Sequence, residues 1–237
     1  MGHRPPAGFL PSRDGFAFTN SWPPAPGISV RTPFGAIGIG NAARGLCGGM
    51  VFASLDYWQA GLRPPAERPA PGSPLYRFIV RRLVQSWHIP AGVARYYRWM
   101  NEPDGNTPVR LAGHRVVARR GLAHRTITWH WPRIRAYLDA GQPVALGVVT
   151  VASGNPFLLG HNHQVLAYSY RLAGTEVTVR VYDPNTGPDD GVYIRFETSA
   201  TAAATFTHNI NIGWPVRGFF RTAYSAEVPP GAVRPSV

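Results

Sequence analysis

Gly45-Leu46-Cys47-Gly48-Gly49-Met50-Val51-Phe52-Ala53-Ser54-Leu55 sets a glycine-rich loop directly before a run that only a protein interior can house. Val51, Leu55 and Trp58 recur at helical spacing, and Met50, Phe52 and Tyr57 fill much of the remaining circumference. The segment therefore reads as a helix buried nearly all round, with the other elements packed about it. It begins at the only cysteine of the chain. A thiol in a first turn faces unpaired backbone N–H groups and the positive end of the helix dipole, and both favour the thiolate. A lone cysteine on an apolar helix is as a rule an inert small hydrophobe, so a reading as nucleophile rests on partners elsewhere.

Three such partners occur in the sequence. Asn41 stands six residues before Cys47, where a side-chain amide can join the Cys47 N–H in holding an oxyanion. His161-Asn162-His163-Gln164-Val165-Leu166-Ala167-Tyr168 puts histidine at the head of an apolar run that reads as a strand, and Val181-Tyr182-Asp183-Pro184-Asn185 ends a second strand in a carboxylate. His163 is preferred as the base because it directly precedes the strand, whereas His161 lies in the loop after Leu158-Leu159-Gly160. Asp183 can orient the imidazole, although Asp-Pro-Asn-Thr-Gly is a turn signal in its own right, and Asn185 is the alternative orienting group. Asn20, in Asn20-Ser21-Trp22, is a spare oxyanion donor in a turn whose Trp22 is expected to bury against the sheet. His161 and His163 could face one metal only with help from Asp183, Asp189 or Asp190, and no metal is expected.

In this order of amide, thiol, imidazole and carboxylate the sequence resembles the papain-like cysteine peptidases, and in particular the bacteriocin-processing, double-glycine-leader branch. Papain-like enzymes carry an oxyanion-hole glutamine six residues before the cysteine, a place that Asn41 fills with a shorter amide. The branch opens a strand with His-x-Val-x-x-x-x-Tyr and takes its acid from an Asp-Pro pair, which His163 and Asp183 match. The resemblance covers residues 41 to 185 and implies an α+β papain-like fold, in which a helical N-terminal lobe with the nucleophile helix packs on a C-terminal antiparallel sheet lobe.

The periodicity supports the same division. The 237 residues and 44% apolar content suit one domain. Residues 1–40 read as an extended Pro/Gly-rich segment, 41–140 as the mainly helical lobe, 141–224 as the sheet lobe and 225–237 as a tail. Helices are expected over 75–87, 92–100 and from 131 to a stop at Gly141, and strands over 143–151, 163–170, 175–182, 192–196 and 216–224. The alternation of 126–131 predicts a short strand or extended run.

A single cysteine allows no intrachain disulfide, no leader-like apolar stretch follows Met1, and no apolar run is long enough to span a bilayer, so a cytoplasmic location is expected. All 24 basic residues are arginine, and twelve of them fall in residues 77–135 against Glu102 and Asp104, which places +10 of the formal +12 there. Such a concentration attracts acidic partners, and Arg81 and Arg82 are candidate substrate contacts. No nucleic-acid motif accompanies it, so a peptide or protein substrate is expected rather than nucleic acid, and oligomeric state is not legible. The reading is a thiol hydrolase of amide bonds that needs no cofactor, with Cys47, His163, Asp183 and Asn41 as its machinery. Two alternatives stay open: an acyltransferase of transglutaminase type using the same residues, and a catalytically silent basic binding module.

Overall fold

A computed structural model describes residues 2–3, 8–22, 28–32, 35–39, 45–111 and 114–232. In chain order its elements are β1 (Gly2–His3), α1 (Pro11–Asp14), β2 (Ile28–Thr32), β3 (Gly35–Ile39), α2 (Cys47–Gln59), α3 (Pro74–Ser86), α4 (Ala91–Met100), β4 (Thr107–Leu111), β5 (His114–Arg119), α5 (Leu122–His124), α6 (Trp131–Asp139), β6 (Val144–Val149), β7 (His163–Ala173), β8 (Glu176–Tyr182), β9 (Tyr193–Glu197), β10 (Thr207–His208) and β11 (Gly218–Arg221). The fold is α+β. Helices α2 to α4 precede an antiparallel sheet of order β10-β9-β8-β7-β6-β11, to which β1 adds by pairing with Arg171 and Leu172 of β7.

Helix α2 is buried from Gly48 to Tyr57, and it divides two clusters. Val51, Phe52 and Leu55 pack on Ala145, Leu166 and Tyr168 of the sheet, while Met50, Ala53 and Tyr57 face α3, α4 and the N-terminal aromatics Phe16, Phe18 and Trp22. Gly48 and Gly49 permit this. A Cβ on Gly49 would stand 2.1 Å from the carbonyl oxygen of Ile79 in α3, and one on Gly48 would stand 2.3 Å from Ser86 Oγ. The opposite sheet face carries Leu146, Val148, Val165 and Ala167 against Trp131, Ile134 and Leu138 of α6. Burial on both faces explains why β6 and most of β7 read as continuous apolar runs.

The structure differs from the sequence reading in several places. Residues 125–130 form a π-helical turn that leads into α6, not a strand. Pro132 cannot donate to the carbonyl four residues back and its ring crowds it, so the preceding turn widens and the Trp131 N–H reaches Thr126 O. The alternation has another use: the Thr126 hydroxyl accepts from Phe219 N and donates to Phe219 O, covering the edge of β11. Two hairpins, β2–β3 and β4–β5, form where little regular structure was expected. Trp22 packs edge-on to Phe18 and Tyr76 on the helical side rather than on the sheet.

The C-terminal segment also docks: Ser225 O accepts from Arg82, and Pro230 O accepts from the Tyr57 hydroxyl. Arg82 itself is fully buried, with Nε 2.7 Å from Asp56 Oδ2 and Nη2 donating to Asp56 Oδ1 at 3.1 Å. That corrects its expected place at the substrate. Among the described residues no helix is long and apolar enough to cross a membrane.

Candidate active site

Cys47 is the first residue of α2, half-buried, behind the N-cap residue Leu46, whose side chain makes no capping bond. The first-turn N–H groups lack intrahelical acceptors. His163 is the first residue of β7, and this strand runs along the face of α2, so its start arrives at the helix N-terminus. Asp183 follows the last residue of β8, the antiparallel neighbour of β7 in which Tyr182 stands opposite Leu166. Adjacent strands thus deliver imidazole and carboxylate together.

His163 Nε2 lies 2.7 Å from Asp183 Oδ1, and the imidazole and the Cys47 thiol are close enough for each to shift the pKa of the other. Asp183 is wholly buried, and each of its oxygens is held twice. Oδ1 also accepts from Asn185 N at 2.9 Å, while Oδ2 accepts from Asn211 N at 2.9 Å and from Thr186 Oγ1 at 3.0 Å. Burial pushes this carboxyl up, but His163 and these donors outweigh it and hold it below its ordinary value. Burial likewise pushes the Cys47 thiol up. The His163 charge and hydrogen bond, with the backbone N–H groups of Gln164 and Gly48, reverse that and lower it. For His163, burial lowers the imidazole and the two anions raise it, with a net upward shift. The three shifts run in the direction that favours a thiolate–imidazolium pair backed by a carboxylate.

The structure thus brings Cys47, His163 and Asp183 together. Asn41 lies outside the described residues. His161 is exposed in the turn before β7, where its backbone oxygen accepts from Thr150 Oγ1. Asn185 touches Asp183 through its N–H, and its side chain joins Asn20 Nδ2 at 2.9 Å and Asn211 O at 2.9 Å. Asn20 aims its amide nitrogen at Asn185 and its oxygen at Leu46 N. Arg81 pairs with Glu227 at 2.8 Å, and Arg82 with Asp56, so the partners of both arginines are in the α2 helix and the C-terminal segment rather than at Cys47.

Two neighbours escaped the sequence reading. Tyr96 of α4, fully buried, donates its hydroxyl to His163 O at 3.3 Å. Gln164, also buried, donates Nε2 to Ser86 Oγ at 3.0 Å and packs where a Cβ on Gly48 would fall. A polar residue inside the apolar run of β7 was the available signal for Gln164. Tyr96 carried none, because its spacing is that of an ordinary core residue. Comparison of the chain with protein-family models, curated proteins and solved structures returns no match.

Proposed function

We propose that the protein is a papain-like thiol hydrolase of amide bonds, a peptidase acting on a peptide or protein. The observation that carries this reading is the His163–Asp183 pair, 2.7 Å apart, set beside the Cys47 thiol at the N-terminus of a buried helix. The Cys47 thiolate attacks the scissile carbonyl carbon, and the oxyanion is held by the Cys47 N–H together with Asn41. As the C–N bond breaks, the imidazolium of His163 gives its proton to the departing amine and leaves a thioester. His163, now neutral, takes a proton from water, whose oxygen displaces the thiolate and releases the acid. Asp183 keeps the imidazole in one orientation and stabilises its charged form throughout.

Intact-mass spectrometry after incubation with a peptidyl electrophile tests this. One adduct at Cys47, lost in His163→Ala, is the expected result. A wild-type protein that stays unmodified, or labels equally well without His163, would contradict it.

A further inference from the structure

The N-terminal segment reaches the site through one side chain. Asn20 stands on a stretch anchored by the buried rings of Phe16, Phe18 and Trp22. Its backbone N–H donates to Pro184 O at 2.8 Å, and its Nδ2 donates to Asn185 Oδ1 at 2.9 Å. Its Oδ1 accepts from Leu46 N at 2.6 Å and from Trp22 Nε1 at 3.0 Å. One carboxamide thus joins the residue before the nucleophile to the residue two past the acid, and the Asn185 N–H binds the same Asp183 oxygen that receives His163. The loop is shaped around it: Gly45 has φ +86°, and a Cβ there would stand 2.3 Å from Asn20 Nδ2.

We infer that Asn20 is a positioning residue, a strut that fixes Cys47 relative to the Asp183 turn and makes the N-terminal segment part of the site. The inference rests on the thiol-hydrolase reading above. The chemistry asks for asparagine. Leu46 N–H and Trp22 Nε1–H need an acceptor and Asn185 Oδ1 needs a donor, and a short amide supplies both. Aspartate keeps the acceptor, loses the donor and adds a negative charge beside the Asp183 turn. Alanine loses both. A Cys47 freed to drift from His163 loses part of the charge and hydrogen bond that favour its thiolate, so the strut should be visible in the thiol's titration.

The test is the rate of Cys47 alkylation by iodoacetamide as a function of pH, with thermal melting followed in parallel. Asn20→Ala should move the inflection upward and cut the rate at pH 6 by roughly fivefold or more. Asn20→Asp should fall between Ala and wild type. Trp22→Phe, which leaves both bridging bonds in place, should keep the wild-type profile even if its melting temperature drops. If Asn20→Ala does not fold, Asn185→Ala removes the other end of the strut and should shift the inflection the same way. Folded Asn20→Ala or Asn185→Ala proteins that melt lower but titrate like wild type would overturn the strut alone. A wild-type inflection at or above the free-thiol value of about 8.5 would overturn the thiol reading and the strut with it.

Discussion

Asp183 keeps its charge where water is shut out because four donors converge on its two oxygens, and the energetic consequence can be measured. Its carboxyl is held down in the folded state, so its contribution to stability is present above the unfolded value of about 3.9 and is lost as pH falls through the depressed folded value. His163 runs the other way. Its raised folded value gives a contribution that is full below the unfolded value of about 6.5 and is lost as pH rises through the folded value of about 10. Asp183→Asn should therefore cost about 3 kcal/mol in urea unfolding at neutral pH, within the range for breaking a buried pair, and the cost should vanish in strong acid. A cost that persists unchanged in acid would mean that packing, not charge, is what Asp183 provides. Cys47, His163 and Asp183 could be picked out in the sequence because each opens or closes a regular element and the three fall in the order that the papain-like resemblance implies. Asn20 was legible as a residue but not as a strut, since its partners lie 26 and 165 positions away and nothing local distinguishes it.

Helices α2 and α3 are joined by glycine at one end and by charge at the other. Toward Cys47 the Gly48–Gly49 pair lets the helices close up. Further along, Asp56 and Arg82 form an ion pair that is buried on both sides, with Tyr224 Oη and Glu227 N also donating to Asp56 and with the guanidinium 4.9 Å from the Phe52 ring centroid. Burial pushes Asp56 up despite those donors, so the pair depends on all of them staying in place. Arg82→Ala should then cost about 3–5 kcal/mol in urea unfolding, whereas Arg81→Ala, whose side chain is largely exposed, should cost at most about 1 kcal/mol. Equal effects would remove the distinction drawn between the two arginines. The contrast was readable in principle. Arg82 falls on the same stripe as Leu75, Ile79 and Ser86, and an aspartate in a helix buried all round needs a cation. Helices and sheet strands with strong periodicity were found within a few residues of their expected bounds. The 125–130 turn was not, because alternation of side chains cannot distinguish a strand from a helix whose turn is widened by a following proline.

Across the whole molecule, both ends of the described chain serve the core rather than trail from it. Phe9, Phe16, Phe18 and Trp22 bury before α2 begins, and the segment after Tyr224 covers the Asp56–Arg82 pair. The arginine-rich middle is likewise drawn inward in part. Arg98, Arg119 and Arg125 all converge on the buried Glu102, which is why a surplus that sequence reads as a surface field is partly structural. What this arrangement holds in place is the proposed thiolate–imidazolium pair at the head of α2. The most direct test is ultraviolet titration of the thiolate in the intact protein, taken as a difference against Cys47→Ser. The account predicts a thiolate that titrates well below the free-thiol value of about 8.5 and moves up to that value or beyond in His163→Ala. A wild-type titration at or above about 8.5, or one that His163→Ala leaves unchanged, would contradict it.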